Sequence, residues 1–270
     1  MGMKRSTRSR LVRYGVNLAV VAAIVGLALV VDWGEVRRNF WNPAGVALDG
    51  GNWGELITVG AVNTVKYTAI AFVGGLVLAV VLALLRLSPI ATLRWLATVY
   101  IEFFRGLPAL IVIIFMGFGL PIAIGWRPPG GVVGAGLIAL IMVAGAYMAE
   151  TLRAGIQAVP KGQAEAARSL GMSSGATMFK VVLPQAFRVV IPPLTNEFVL
   201  LIKDTALLSV IGAAVGQREL TTMARDFQSS GVSAGTATSL IQAALLYLVI
   251  TIPLTQLVAW QERRQRKATR

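Results

Sequence analysis

The sequence contains neither cysteine nor histidine among its 270 residues. The absence of cysteine excludes disulfide bonds, thiolate nucleophiles and cysteine-ligated metal sites. The absence of histidine removes the commonest general base and the commonest metal ligand. We therefore expect no metal site, no catalytic residues and no bound cofactor.

Charged residues are also scarce, at 14% of the chain against 56% hydrophobic residues. A soluble domain has roughly 45–50% apolar and about 25% charged residues. The apolar residues fall in long runs, and a run of roughly 20 is the length of a helix that crosses the hydrocarbon core. This pattern excludes a soluble protein and predicts an all-α integral membrane protein.

Six apolar segments predict about six transmembrane helices. They run approximately over Val16–Val31, Leu56–Leu85, Leu107–Ile124, Val132–Ile156, Pro192–Val215 and Ser239–Trp260. The first could instead be a secretory signal, but no small-x-small cleavage site follows it, which favours a retained span. We expect residues 1–55 to hold a basic tail, the first helix and an extracytoplasmic connection. Residues 56–260 would form the transmembrane core, and residues 261–270 a second basic tail.

The net charge of +13 would suit a nucleic-acid-binding protein, but the basic residues cluster directly beside the apolar runs. If the amino terminus is cytoplasmic, 18 Lys and Arg residues lie inside and 5 lie outside, with Lys66 and Lys203 within spans. A bias of this kind sets the orientation of membrane proteins. We expect both termini in the cytoplasm, contact with membrane lipid and no nucleic acid.

A polar stretch from Pro160 to Arg188 lies on the predicted cytoplasmic side. Residues 163–170 are good helix formers, and Glu165 and Arg168 are spaced to meet across one helical turn. This much helix favours a docking element over an ordinary interhelical loop.

The predicted helix ends at a glycine. Gly171 stands where a chain leaves a helix in the left-handed conformation, with a positive φ that glycine adopts at low cost. Ser173 or Ser174 can cap a second short helix, which we expect to stop at Pro184. The sequence thus predicts two short helices meeting at Gly171.

The same stretch carries a specific motif. Glu165-Ala166-Ala167 is followed after three residues by Gly171, and after nine more by Val181-Val182-Leu183-Pro184. This resembles the EAA signature of ABC-importer permeases, although that family usually has isoleucine where Val181 stands. In the family the segment is a coupling helix that inserts into a groove on the cytoplasmic ATPase. The resemblance implies an ATPase-coupling role for Glu165, Ala166, Ala167, Gly171, Leu183 and Pro184.

Further segments are similar to the polar amino-acid branch of that family, which imports substrates of the histidine, glutamine and glutamate type. They are residues 102–108, 146–153, 184–186 with 191–193, and 201–207. The chain departs from the usual pattern at Leu107, Val112 and Ala206, where threonine, glutamine and serine are common. The resemblance implies an ABC-importer type I permease fold in a bacterial cytoplasmic membrane.

The chain has no P-loop, so an ATP-driven importer would need other subunits. The resemblance implies separate ABC ATPases, a second permease chain, identical or homologous, and an extracytoplasmic amino-acid-binding protein. The alternatives are an ion-coupled secondary amino-acid transporter, which lacks the internal repeats common in such carriers, and a membrane enzyme, which the lack of His and Cys disfavours.

The fifth predicted span contains four polar residues at paired spacing. Asn196 and Lys203 are seven residues apart, as are Glu197 and Asp204, which places all four on one broad stripe. A charge near the bilayer centre costs about 2.5–3.5 kcal/mol on insertion scales, so each should face a cavity or a partner. The stripe either lines the substrate path or forms salt bridges between helices. Lys203 favours a substrate with a spare carboxylate, such as glutamate, and glutamine is the second candidate.

Two acid–base pairs lie near predicted cytoplasmic helix ends. Glu102 and Arg105, and likewise Glu150 and Arg153, are spaced by three residues. We expect mutual ion pairs or gate contacts between spans.

Overall fold

The computed structural model describes residues 5–34, 51–230 and 234–268, and within them all regular structure is helical. In chain order the α-helices are α1 Arg5–Val30, α2 Gly51–Glu55, α3 Val62–Leu87, α4 Ala91–Gly106, α5 Ala109–Ile114, α6 Leu120–Ile124, α7 Gly131–Gln157, α8 Lys161–Ser169, α9 Ser174–Thr177, α10 Leu183–Asp204, α11 Leu220–Ser229 and α12 Thr238–Ala268. Between them lie π-helical turns at Leu56–Ala61, Phe115–Gly119 and Met178–Val182, and a 3₁₀-helix at Thr205–Val210. The predicted all-helical architecture is confirmed.

Three helical stretches of the described chain are long and apolar enough to cross a membrane: Asn52–Leu87, Gly131–Gln157 and Thr238–Gln265. A fourth is formed if Ala91–Gly106 and Ala109–Ile124, which meet at a bend of 102°, count as one broken span. The apolar part of α1 is shorter and covers Tyr14–Val30. The predicted connection between residues 32 and 53 falls mostly outside the described residues.

The third predicted span is only the second half of that bent pair. Helix α4 ends at Gly106, Leu107 is extended, and α5 begins after Pro108. A proline forces the residue before it out of the helical region, so the break lies where Pro108 requires it. The prediction missed α4 because its residues are less uniformly apolar than a span.

The fifth predicted span, Pro192–Val215, has different bounds in the structure. Helix α10 covers Leu183–Asp204, so it starts earlier and gives way to a 3₁₀-helix at Thr205. The prediction that a short helix stops at Pro184 is also wrong, because Pro184 lies in the first turn of α10. Proline is tolerated there since that turn has unpaired N–H groups, and Pro192 and Pro193 are tolerated inside the helix as they are in many membrane helices.

The chain separates into two units, residues 1–51 and 52–270. In the second unit α3 and α7 pack closely at small residues: a Cβ added to Gly75 would lie 3.3 Å from the backbone nitrogen of Gly145. Membrane helices associate largely through such close packing. Helices α4, α5 and α10 pack against α7, which brings α10 beside the break between α4 and α5. The predicted domain bounds at residues 55 and 260 stay predictions.

Candidate functional site

A cavity of 340 Å³ lies where α5, α7 and α10 meet the α4–α5 break. Two carboxylates, Glu197 and Asp204, contribute its charged lining, and Tyr147 adds a phenol. The remaining lining residues are apolar: Leu107, Pro108, Ala109, Leu140, Val143, Ala144, Leu200 and Leu201. A cavity with apolar walls and a few convergent polar groups is the usual form of a small-molecule site.

The four polar residues of the predicted stripe divide between two faces of α10. Glu197 and Asp204 are two helical turns apart, so both reach the cavity. Asn196 and Lys203 are exposed on this chain and do not line that cavity. Adjacent residues on a helix point about 100° apart, which separates Lys203 from Asp204.

The predicted acid–base pairs lie within reach of each other in the structure. Arg105 and Glu102 are 3.9 Å apart, and the Nε of Arg153 donates to Glu150 at 3.1 Å. A fifth residue, which the sequence argument used only as a topology signal, joins the two pairs. Arg86, at the end of α3, donates to Glu150 at 2.6 Å and lies 4.0 Å from Glu102. The network therefore ties α3, α4 and α7 together.

Tyr147 connects this network to the cavity. Its ring lines the cavity, and its hydroxyl donates to the backbone carbonyl of Arg105 at 3.4 Å. The Arg105 guanidinium lies 5.8 Å from the centre of the Tyr147 ring, within the range of a cation–π contact. A rearrangement of the ion pairs would therefore move a residue of the cavity wall.

The polar stretch forms the predicted turn between short helices. Gly171 follows α8 with a φ of +86°, so the predicted positive φ is confirmed. The Ser173 hydroxyl accepts a hydrogen bond from the Ala176 N–H at 3.2 Å, so the predicted cap is also confirmed. No ion pair joins Glu165 to Arg168 in the described part of the chain; Arg168 donates instead to the Ser174 hydroxyl.

The residues of the coupling motif differ in exposure. Glu165, Ala166, Gly171 and Pro184 are exposed, whereas Ala167 is buried and Leu183 is half-buried. The π-helical turn Met178–Val182 joins α9 directly to α10. The motif is therefore continuous with the helix that carries Glu197 and Asp204. A displacement of the turn at Gly171 would move this helix and, with it, the two carboxylates that line the cavity.

Glu219 is a buried carboxylate, 1% exposed, that was not among the residues predicted from the sequence. Its oxygens accept hydrogen bonds from the backbone of Thr221 and Thr222, and from the Tyr247 hydroxyl at 3.0 Å. Glu219 thus caps α11 and fixes it to α12. An acidic residue directly before a helix was the signal that could have indicated this role.

The sequence of the chain matches a known protein family. Residues 75–267 match the family model described as binding-protein-dependent transport system inner membrane component. The chain is 41% identical over 212 residues to a probable glutamine ABC transporter permease protein of Bacillus subtilis, covering 77% of this chain and 93% of that protein. It is 34% identical over 234 residues to a glutamate transport system permease protein of Corynebacterium glutamicum, covering 86% and 82% respectively.

A solved structure is similar in both sequence and fold. It is described as an amino acid ABC transporter with histidines, and it matches with a TM-score of 0.69 and 38% identity. The match covers 77% of this chain and 93% of that one. The overall helix arrangement therefore has a solved counterpart in an amino-acid transporter.

Proposed function

The chain belongs to the family of binding-protein-dependent transport system inner membrane components, and we propose that its cavity passes polar amino acids with neutral or cationic side chains. It is the membrane permease subunit of an amino-acid ABC importer and has the type I permease fold. It is a transport component rather than an enzyme, and it works with ATPase subunits and a substrate-binding protein. The ion-coupled alternative is not supported by these relatives.

The pair of carboxylates in the cavity carries the substrate proposal. Glu197 and Asp204 line it, and no Lys or Arg is among its described lining residues. Every amino acid brings an ammonium group, which a carboxylate binds through charge-assisted hydrogen bonds. An acidic amino acid would add a second carboxylate of its own, and like charges at close range repel strongly when water is excluded.

The two cavity carboxylates therefore disfavour glutamate, whereas Lys203 alone had predicted a preference for it. Relatives at 34–41% identity are named for both glutamate and glutamine, so overall similarity does not decide between these substrates. The charge of the cavity favours glutamine or a basic amino acid.

A competition experiment tests the substrate class. Proteoliposomes would contain the permease with its ATPase, supplied with ATP and the binding protein, and would take up labelled glutamine. We expect unlabelled glutamine or arginine to compete at least tenfold more strongly than glutamate. Glutamate competing as well as glutamine would contradict the proposed selectivity, whereas ATP-independent uptake would contradict the importer assignment itself.

The exposed side of α10 supports a second permease chain. Lys203 and Asn196 lie on this side, and an ammonium facing hydrocarbon is costly. We infer that a second copy or homologue packs near this face, so that Lys203 and Asn196 line a water-filled path between the two chains. The path would then comprise both faces of α10.

A single cysteine tests this arrangement, because the natural chain has none. We expect Lys203→Cys to be labelled by a water-soluble maleimide in at least one ATPase state, with saturating substrate slowing the labelling. Lys203→Ala should lower uptake without preventing assembly of the complex. Lack of labelling in every state, with no effect of substrate, would remove Lys203 from the path.

The ion-pair network is proposed as the cytoplasmic gate of the cavity. Glu102, Arg105, Glu150 and Arg153 would exchange partners around Arg86 as α3, α4 and α7 separate. Hydrogen bonds to charged groups contribute about 1.5–3 kcal/mol, enough to change a two-state equilibrium roughly 10- to 150-fold.

Arg86→Gln tests the gate. We expect the ratio of substrate-stimulated to basal ATP hydrolysis to change at least threefold. The reason is that the variant loses the positive charge that links Glu150 to Glu102 when the proposed gate is closed. Arg94→Gln is the matched control, since among the described residues Arg94 donates only to the backbone carbonyls of Ser88 and Pro89. A lower melting temperature with an unchanged hydrolysis ratio would make the network structural rather than a gate.

The orientation of the chain is part of the same proposal. The motif at Glu165 and Gly171 would face the cytoplasmic ATPase, and both termini would share that side, in contact with lipid. The distribution of Lys and Arg supports this orientation. A cysteine at Lys161 should react only with reagent applied from the cytoplasmic side; reaction from the outside would reverse the topology.

A further inference from the structure

A second pocket, with a volume of 300 Å³, lies beyond the end of α10. Its walls come from the 3₁₀-helix, from the loop that follows it and from α11. Besides two small residues, they carry two arginines, one carboxylate and three hydroxyl groups: Arg218, Arg225, Asp226, Ser209, Thr222 and Ser229. Two guanidinium groups and one carboxylate give this described lining a net charge of +1. Its charge is therefore opposite in sign to that of the cavity lined by Glu197 and Asp204.

The pocket and the turn at Gly171 lie at opposite ends of α10. This helix begins at Leu183, after the turn, and ends at Asp204, which gives it a length of about 33 Å at about 1.5 Å per residue. The hydrocarbon core of a bilayer is about 30 Å thick. With the orientation of the proposed function, on which this inference rests, the pocket faces the extracytoplasmic side.

The backbone that carries Arg218 is fixed by side chains of α3. The Asn63 amide donates to the carbonyls of Gly216 and Arg218, at 2.9 Å in each case. The Tyr67 hydroxyl donates to the carbonyl of Gln217 at 2.8 Å. Three consecutive carbonyls are thus bound by one helix, and the point from which the Arg218 side chain extends is set before a ligand arrives. A preformed site of this kind loses less conformational freedom on binding.

Most donors of the two guanidinium groups are available to a ligand. Each guanidinium has five N–H donors. The Nε of Arg218 lies 2.8 Å from an oxygen of Asp226, and its terminal nitrogens donate to no residue that the structure describes. Arg225 donates to the carbonyl of Ser209 at 3.3 Å and forms no ion pair within the described chain. Because paired N–H groups match the two oxygens of a carboxylate, the pocket can accept one carboxylate more.

An amino acid in transit supplies such a carboxylate. Every substrate of an amino-acid importer carries an α-carboxylate as well as an ammonium group. The cavity suits the ammonium group, since two carboxylates and no described Lys or Arg line it. Asp204 of the cavity and Ser209 of the pocket are joined by the 3₁₀-helix, and five residues at about 2.0 Å each place them about 10 Å apart. The two sites are therefore close enough to be visited in sequence.

We propose that this pocket is an outer substrate site, in which Arg218 and Arg225 bind the α-carboxylate of an incoming amino acid before the cavity receives its ammonium group. Its volume of 300 Å³ is at the lower end of the range for small-molecule sites. The site recognises a group that all amino acids share, so it accepts glutamate as well as glutamine or arginine. Selection by side chain then takes place in the cavity.

A cysteine in the pocket tests the proposal without a transport measurement. Ser229 lines the pocket and is exposed, and the natural chain has no cysteine. The permease–ATPase complex with Ser229→Cys would be labelled in nanodiscs, without ATP or binding protein, by an anionic or a cationic methanethiosulfonate. After each rate is divided by that for a free thiol, we expect the anionic reagent to react at least fivefold faster, because the net positive charge attracts it.

The same cysteine reports binding of the α-carboxylate. Saturating glutamine, arginine or glutamate should slow the anionic reagent at least threefold. The α-amide of glutamine, which lacks the carboxylate, should not slow it. Val215→Cys, at an exposed position outside the lining, is the matched control and should show no protection by any of them.

Arg225→Gln in the Ser229→Cys background should remove both the charge preference and the protection, whereas Arg225→Lys should keep the charge preference. Arg225 is chosen because its replacement leaves no described carboxylate unpaired, unlike replacement of Arg218, which would strand Asp226. Arg127→Gln, which neutralises an exposed arginine in the loop before α7, should leave both effects unchanged.

Three results would overturn the proposal: equal protection by glutamine and its α-amide, protection that persists in Arg225→Gln, or no protection by any amino acid. Slowing by the binding protein alone, and not by free amino acids, would also overturn it and would assign the pocket to an acidic side chain of that protein. ATP-driven uptake by the same complex would leave the proposed function standing in each case, so the two can fail separately.

Discussion

Gly171→Val is expected to abolish substrate-stimulated ATP hydrolysis and uptake while the spans remain inserted in the membrane. Gly171 has a φ of +86°, a conformation that costs residues with a side chain about 1–2 kcal/mol and is hardest for β-branched ones. A Cβ added at this position would meet no atom of the described residues within 4 Å, so the penalty comes from the backbone and not from a clash. The turn between α8 and α9 would relax, and the proposed contact with the ATPase would be displaced.

Two control variants isolate this effect. Gly162→Val places the same side chain in α8, where the backbone is helical and no atom lies within 4 Å of the added Cβ, and it should retain at least half of the coupled activity. Gly171→Asn should retain more activity than Gly171→Val, since asparagine tolerates the left-handed region. Substrate-stimulated hydrolysis at the natural rate in a Gly171→Val complex would refute the coupling role.

Neutralising both cavity carboxylates, with Glu197→Gln and Asp204→Asn, is expected to raise the KM for arginine uptake roughly 10- to 100-fold. One lost charge-assisted hydrogen bond is worth about 1.5–3 kcal/mol, and each 1.4 kcal/mol is a factor of ten, so the expected rise corresponds to the loss of one such bond to the substrate. Both substitutions keep the side-chain volume, so the cavity lined by Tyr147 and Leu107 should keep its shape. The same variant should compete better with glutamate, because the repulsion is removed.

The matched control is Glu55→Gln, which removes an exposed carboxylate that lies outside the cavity. It should leave the KM for arginine and the glutamate competition unchanged. An unchanged KM in the Glu197→Gln and Asp204→Asn variant, with normal assembly and transport, would exclude these carboxylates as the substrate contacts. A loss of assembly in the double variant would be distinguished by testing Asp204→Asn alone, which should raise the KM at least threefold.

Some features could be predicted because they depend on local sequence. Gly171 had to follow a helix end, and Ser173 is a short polar residue at a helix start, so their conformations follow from backbone sterics and local hydrogen bonding. The bounds of α10 were predicted poorly. Pro184, Pro192 and Pro193 suggested stops, but a proline in a first turn costs little, and neighbouring helices support prolines further along a membrane helix.

Other features depend on residues that are far apart in the chain. Arg86 and Glu150 are 64 positions apart, and only the packing of α3 on α7 brings them to 2.6 Å. From the sequence, Arg86 could be used only as a topology signal, because its partner Glu150 is not close to it in the chain. Likewise, a stripe of four polar residues on α10 does not reveal which two face a cavity, since that depends on how α7 and the α4–α5 break pack around the helix.

The sequence by itself determined the membrane class, the all-helical fold and the resemblance to amino-acid ABC permeases, including the EAA-like motif. These follow from composition, from the length of apolar runs and from contiguous motifs, all of which are local properties. Tertiary structure alone decided that Glu197 and Asp204 share a cavity while Lys203 lies outside it, and that Arg86 bridges two ion pairs. The physical reason is that a helix repeats every 3.6 residues, so neighbouring residues face different surroundings, and only packing between distant segments determines what those surroundings are.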